Sequence, residues 1–307
     1  MITNVDPQNA LFLNGLNQIE NNISVASNQV SSGLQISVAS DSPDQIGTLL
    51  QLRANQAQNT QIQSNLTLAQ TNAQSADGAL SSSILLMDTA TTLATQGATS
   101  VSTAATRASL ATQVQNILQQ MVSNSQTNVE GSYIFSGDQD GTPQYTYDAT
   151  QTNPVVTQQT TASTRQIQNP AGGTFQASMT AQQIFDDQDP VTGLPSTDNV
   201  FNALSTLVTA LNNNDTTGIT NSVSLLQAAS THLNNSDTFY GNLEDQIQSA
   251  TTYASSYNVQ LQTEIGSIQD ADIPSAATEL TEANTQLQAT MQMEGQLPHT
   301  SLFSFLG

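Results

Sequence analysis

The chain has no cysteine, no lysine and no long apolar run, and charged residues of both signs make up only 9% of its 307 positions. Without cysteine there is no disulfide, no thiolate nucleophile and no soft metal site. Cytosol and exterior both stay open as compartments. The only cationic side chains are Arg53, Arg107 and Arg165, set against 24 Asp and Glu, which leaves a formal charge of −21. That acidity comes from missing cations and not from crowded carboxylates, since Gln, Asn, Ser, Thr and Ala fill most of the polar surface. Nucleic acid is excluded as a partner, because affinity for phosphate backbones needs cations that displace counterions. Binding to anionic lipid headgroups fails on the same ground. No segment approaches the roughly eighteen apolar residues of a membrane span, so no membrane insertion is expected. Met1 to Glu20 holds no Lys or Arg and no uninterrupted apolar core, so a cleavable secretory signal is not expected either.

What the chain does have is helical periodicity at both ends. Phe12, Leu16, Ile19, Ile23, Ala26 and Val30 recur at alternating spacings of four and three, and Leu280, Ala283, Leu287 and Met291 at spacings of three, four and four. Such a stripe cannot bury itself on a lone helix, because its apolar side chains leave water only in the holes of a facing helix. Both ends therefore call for partners. Ser31 to Asp44 and Ile268 to Pro274 are rich in breakers and set these end helices apart from the rest.

Between the ends, Pro43 suits the first turn of a second helix, with a preceding Ser or Asp placed to accept from its unpaired amides. A near-regular heptad follows at Ile62, Leu66, Ala69, Ala73, Ala76, Leu80, Ile84 and Met87. After a break at Gly97 to Thr103 comes a third stripe, Leu110, Val114, Ile117 and Met121. From Gly131 to about Val200 the period changes to short β-type runs at 133–135, 145–147, 155–157 and 165–167, with Asp138 to Gly141 as a tight turn. Helical spacing returns with Leu204, Leu207 and Leu211, then Val223, Leu226, Ser230 and Leu233, then Ile247 to Ile268. The fold class read from this order is mainly α: a long antiparallel helical bundle or coiled coil of the N- and C-terminal halves, with a small β-rich insertion at its tip. The domains expected are a terminal coiled-coil assembly domain of 1–40 with 273–307, a helical rod domain of 41–130 with 201–272, and a small β-rich domain of 131–200.

Signals for catalysis are missing. There is no phosphate-cradling glycine loop, nucleophile elbow or HExxH helix, and aromatic residues, at 5%, are too sparse to line a sugar cleft. His232 and His299 stand alone, so His232 is expected as an exposed helix histidine and neither as a metal ligand. Asp138, Asp140, Asp186, Asp187 and Asp189 offer oxygens for calcium but lack the spacing of a calcium loop, and read as solvated turns. No cofactor is expected.

Particular residues point further. Ser40-Asp41-Ser42-Pro43, Arg53, Asn65 and Ala76-Asp77-Gly78-Ala79-Leu80 resemble the N-terminal region shared by bacterial flagellins and the flagellar hook–filament junction (hook-associated) proteins. Ile268 to Asp272, Leu287 to Thr290 and Ser301 to Leu306 resemble that family's C-terminal helix and apolar tail. The match spans about two thirds of the chain. Gly131 to Gly137, followed by Thr142-Pro143, is similar to the segment that opens the β domain of the junction protein. Two departures stand out: the acidic pair usual before the proline reads Asp41-Ser42, and the family's helix lysines are gone.

The resemblance implies a structural subunit of the flagellum and no enzyme, with the hook–filament junction adaptor ahead of flagellin, the filament subunit. A secreted calcium-binding adhesin, or a hydrolase sited in the β insertion, is the more distant alternative. It implies self-association in a helical or ring assembly, contact with other hook-associated proteins and flagellin, a flagellar export chaperone, and an extracellular place in the flagellum. Export would use the flagellar type III route, without a cleaved signal peptide. It also implies terminal helices that stay disordered until assembly. The expected assembly interface is Phe12, Leu16, Ile19, Ile23, Val30, Leu280, Leu287 and Met291, to which the resemblance adds Leu302, Phe303 and Leu306 in the tail. Subunits this acidic repel one another, so assembly should improve on acidification or with added salt. Light scattering across pH and ionic strength checks this, and polymerisation indifferent to both contradicts it.

Overall fold

Capping residues set the breaks along this chain. The computed structural model describes residues 7–151, 153–159 and 163–296. Helix α1 spans Pro7–Ser32, α2 Pro43–Ala98 and α3 Ala104–Ser125. Six short strands follow: β1 (Asn128–Val129), β2 (Ser132–Tyr133), β3 (Tyr145–Tyr147), β4 (Val155–Thr157), β5 (Gln166–Gln168) and β6 (Thr174–Gln176). The chain then returns to helix in α4 (Ala181–Phe185), α5 (Val200–Asn212), α6 (Thr216–Gln269) and α7 (Ile273–Gln296). Thr103 caps α3 by accepting from the Thr106 amide, Asn199 caps α5 by accepting from Asn202, and the Asp215 carboxylate takes the Thr217 and Gly218 amides at the start of α6. Each removes an amide from the set that a helix start leaves unpaired.

Among the described residues, those up to Gln58 and from Tyr257 form one compact unit, and Asn59–Ser256 form another. The second holds the main core. Its α2 and α6 run antiparallel, with the Asn59 side-chain amide donating to the Ala254 carbonyl at 2.8 Å. Along α2 the buried line is Ile62, Leu66, Ala69, Ala73, Ala76, Leu80, Ser83, Met87, Ala90 and Ala94. Ile84, expected in the seam, is only half buried, because strict three-four alternation from Leu80 lands on Ser83. The Ser83 hydroxyl is satisfied there, donating to the Ala79 carbonyl at 2.7 Å and accepting from Asn124 at 3.0 Å. On α6 the same rule buries Ser222, Leu226, Ala229, Leu233 and Ser236, and the expected Val223 and Ser230 sit one position off the buried line. The third stripe on α3 is buried as expected, joined by Ala111, Leu118 and Val122 where α5 packs against it.

The described part of 131–200, expected as a small β-rich domain, falls within this unit and contributes to its core. They carry most of three separate antiparallel hairpins, β1–β2, β3–β4 and β5–β6. Aromatic rings fasten the hairpins to the helices. Phe135 meets Phe185 edge-on at 5.9 Å, Phe185 stacks on Phe201 at 5.8 Å, and Tyr145 meets Phe201 at 5.2 Å. Such pairs are worth about 0.5–1.5 kcal/mol each beyond the area they bury. Helix α4 was not among the expected elements, although Thr180 and Gln183 make a reciprocal capping box that the spacing Thr-x-x-Gln announces.

Arg107 is the one buried cation among the described residues. From α3 it donates to the Gly97 carbonyl at 2.8 Å, to the Thr99 carbonyl at 3.0 Å and to the Asn214 side chain. These acceptors lie at the ends of α2 and α5, where aligned peptide dipoles leave partial negative charge. No carboxylate is among these acceptors, so helix ends take the place of a counterion. Arg107→Met should keep the volume but remove three charge-assisted bonds, lowering stability by about 3 kcal/mol. Urea denaturation measures this, and an unchanged midpoint would contradict it.

Candidate assembly interface

Helices α1 and α7 pack along one another, and the connectors that follow and precede them are tied together. Gly33 ends α1 at φ +74, the left-handed geometry that glycine adopts without penalty. Its carbonyl accepts from the Ala271 amide at 2.9 Å, and the Gln35 and Ile36 amides donate to the Gln269 carbonyl at 2.7 and 3.3 Å. Leu34 and Asp270 thus form an antiparallel bridge. The C-terminal end of α1 and the N-terminal end of α7 meet at this bridge, which makes the pair antiparallel. Asp41 behaves differently from the helix cap expected of it. Its carboxylate turns back to take the Ser37 and Val38 amides, both at 2.8 Å, and the Ser37 hydroxyl at 3.0 Å. Amide donation from Val38 and then Ser37 holds this carboxyl below its ordinary value. It fixes the connector, while the Ser42 carbonyl receives the first bonds of α2.

The expected interface residues are placed as follows. Phe12, Leu16, Ile19 and Ile23 on α1 and Leu280 and Leu287 on α7 are half buried, facing the other helix of the pair. Val30 is 36% exposed and Met291 51%. Leu302, Phe303 and Leu306, and His299, lie outside the described residues. Full burial within the pair falls to small side chains, Ala26, Ala276 and Ala283. Helices α1 and α7 are formed and paired within the single chain. Two helices alone cover one stripe each, so larger side chains in that stripe stay partly wet.

The stripe was not the whole apolar surface. Leu11 is 73% exposed and Met293 65%, with Leu13, Val25 and Ile273 also open to water. At about 100° per residue, Leu11 and Val25 fall on one flank of the paired face and Leu13 on the other. Periodicity analysis passes over them because they lie off the stripe. Their signal is apolar residues at positions where a lone two-helix pair would carry polar ones.

The candidate chemical groups have partners of their own. His232 is half buried, not exposed: its Nε2 lies 2.8 Å from the Gln183 carbonyl and its Nδ1 3.4 Å from Asp198, which ties α6 to α4 and the following loop. Asp140 pairs with Arg165, Asp186 accepts from the Tyr145 hydroxyl and the Asn199 amide, and Asp187 accepts from Ser196. Burial, then the Asp186 charge, pushes the Tyr145 hydroxyl well above its ordinary range. Asp189 takes the Val191 and Thr192 amides of its own turn. Among the described residues no three His, Asp or Glu converge as metal ligands, and no helix is long and apolar enough to cross a membrane. A groove of about 480 Å³ between α2 and the β5–β6 hairpin is lined by Leu68, Ile134, Ile167 and Arg165 among others, with no carboxylate or histidine to act as a base.

Comparison with known proteins adds to this geometry. Residues 3–140 match the bacterial flagellin N-terminal helical region, and residues 223–306 the bacterial flagellin C-terminal helical region. No curated protein sequence matches. Similar solved structures include one described as a flagellar hook-associated protein from Vibrio parahaemolyticus, 20% identical with a TM-score of 0.62, covering 75% of this chain and all of that one. Another is flagellar hook-associated protein 3 from Legionella pneumophila, 14% identical with a TM-score of 0.60, covering 73% of this chain and 99% of that one. The flagellar junction protein FlgL from Legionella pneumophila is 13% identical with a TM-score of 0.54, over 66% of this chain and 99% of that one. Two matched helical regions bracketing a differing middle, on an architecture shared with these structures, place the chain in the bacterial flagellin family.

Proposed function

We propose that this chain is a structural subunit of the bacterial flagellum, acting outside the cell as the adaptor at the hook–filament junction. The observation that carries this reading is the half-satisfied terminal pair. Its α1 and α7 face each other, yet leave Leu11, Leu13, Val25, Met291 and Met293 on surfaces that only further helices can dry. Copies of this chain, or of its relatives, supply those helices. The expected interface of Phe12, Leu16, Ile19, Ile23, Val30, Leu280, Leu287 and Met291 then has two roles. Most of it closes the pair within one subunit, while Val30 and Met291, with the off-stripe residues, meet neighbours. Leu302, Phe303 and Leu306, outside the described residues, belong to the same proposed interface.

Assembly then proceeds by contacts between unlike surfaces that do not close on themselves, the geometry that builds tubes and rings. The names of the similar structures favour the junction over the filament, and so does the resemblance of Gly131 to Gly137. Other hook-associated proteins and flagellin are the neighbours in that setting. Export by the flagellar route with its chaperone, without a cleaved signal, completes the picture. Flagellin itself is the second reading, favoured by the match to both flagellin regions. Abundance separates the two: filaments composed mainly of this chain mark a flagellin, and a few copies beside a different major protein mark the junction.

Leu11→Asn combined with Val25→Asn should leave α1 and α7 paired and the circular dichroism of the chain unchanged. Each fully buried leucine or valine contributes about 1.5–3 kcal/mol, so losing both contacts should raise the critical concentration for assembly about tenfold or more. Sedimentation and negative-stain microscopy measure this. Unaltered assembly would remove these flanks from the interface. Deleting residues 273–307 should abolish assembly altogether, and normal swimming by cells carrying only that truncation would overturn the proposal.

A further inference from the structure

In an antiparallel pair of amphipathic helices, the positions that flank the buried line face their counterparts on the partner helix, and opposite charges there stabilise the pairing. The α2–α6 seam departs from this. The register that sets Asn59 against Ala254 also sets Gln70 against Glu244 and Asp77 against Asp237, seven residues apart on each helix. All four are half buried. Asp77 and Asp237 stand on the same flank of the seam, and the Asp77 charge bears on Asp237, so acid faces acid across it. Two ionised carboxylates have four acceptor oxygens and no donor between them, so they repel until a proton on one side turns the contact into a hydrogen bond. One oxygen of Asp237, Oδ1, is buried with no hydrogen-bond partner, and so is the Gln70 amide oxygen beside Glu244.

The charges that bear on this cluster are all negative: Asp77 on Asp237, and Asp77 with Asp245 on Glu244. The sequence has no lysine to answer them. In the same unit Arg107 is held by Gly97, Thr99 and Asn214, and Arg165 by Gly137 and Asp140. Burial, and after it the Asp77 charge, pushes the Asp237 carboxyl above its ordinary 3.8. Burial, then Asp77 and Asp245, pushes Glu244 above 4.5.

We propose that this flank of the seam is a proton-operated clasp, in which a protonated Asp237 donates to Asp77 and a neutral Glu244 faces Gln70, so that α2 and α6 hold more firmly as the medium becomes acidic. The proposal concerns packing inside the unit of Asn59–Ser256 and does not depend on the flagellar reading. The folded chain binds these protons more tightly than the unfolded one, so stability must fall as pH rises. The contribution is complete below the ordinary carboxyl values and is lost as pH climbs through the raised ones. Asp41, Asp148 and Asp189, each held low by local donors, act in the opposite direction. Comparison of variants with the parent at each pH separates the two effects.

The test is thermal unfolding of the full chain and its Asp237→Asn, Glu244→Gln and Asp88→Asn variants at about pH 8 and about pH 5. Asp88 is exposed on the same helix α2 and removes the same charge. Asp237→Asn supplies a permanent donor, so its midpoint should lie above that of the parent at the higher pH and lose that advantage at the lower. Glu244→Gln should shift in the same direction by less, and Asp88→Asn far less than Asp237→Asn. An Asp237→Asn midpoint equal to or below that of the parent at the higher pH overturns the clasp. An equal rise in Asp88→Asn also overturns it, because total charge would then explain the effect. If Asp237→Asn does not fold, Glu244→Gln decides alone by the same comparison.

Discussion

A helix with one neighbour dries one stripe, and the remainder of its apolar surface must find another. The whole organisation of this chain depends on that constraint. In the unit of Asn59–Ser256 the antiparallel α2 and α6 gain α3, α5 and the hairpins as further cover, and Leu66, Leu80, Leu226 and Leu233 lose contact with water completely. In the unit containing the chain ends the same heptad pattern meets a single partner. There Leu16, Ile19 and Leu287 stay half wet, and only alanines vanish from the surface among the paired positions of α1 and α7.

That difference gives the two units different tasks. The first carries its own core and holds its shape by internal packing, aromatic fastening and the Arg107 clasp. The second buries only alanines fully between its helices, keeps the larger residues of its paired face half wet, and leaves Leu11, Leu13 and Val25 open beside that face. The polar surface of amides and hydroxyls, with few charges, contributes little long-range structure to such contacts. In the proposed assembly apolar area and shape decide such contacts, while the carboxylates set how close copies can come.

Much of this was legible in the residues. The stripes at both ends, the heptads of α2 and α6 and the short strands at 145–147 and 155–157 follow from periodicity, and Ser40 to Pro43 with Ala76 to Leu80 carried the family resemblance. What periodicity misplaced was phase. Ile84 and Val223 look like seam residues because they are apolar, yet the geometric positions belong to Ser83 and Ser222, whose hydroxyls bond to carbonyls one turn back. The roles of Asp41 and His232 were hidden for another reason: each depends on a backbone group that the fold brings near, from Ser37 and Val38 in one case and Gln183 in the other. Leu11 and Val25 stayed unremarked because a search for one stripe discards what lies beside it.

Arg107 draws together the bend after α2 and the bend after α5 through a single planar group whose donors are fixed in direction. A residue gained or lost in either bend pulls a carbonyl or the Asn214 side-chain oxygen away from that guanidinium. Insertions and deletions in this chain are therefore costly at these two bends. They are better borne in turns such as Gly172-Gly173, where φ is positive, nothing lies within 4 Å of where a Cβ would stand, and the backbone bonds join the turn to its own hairpin.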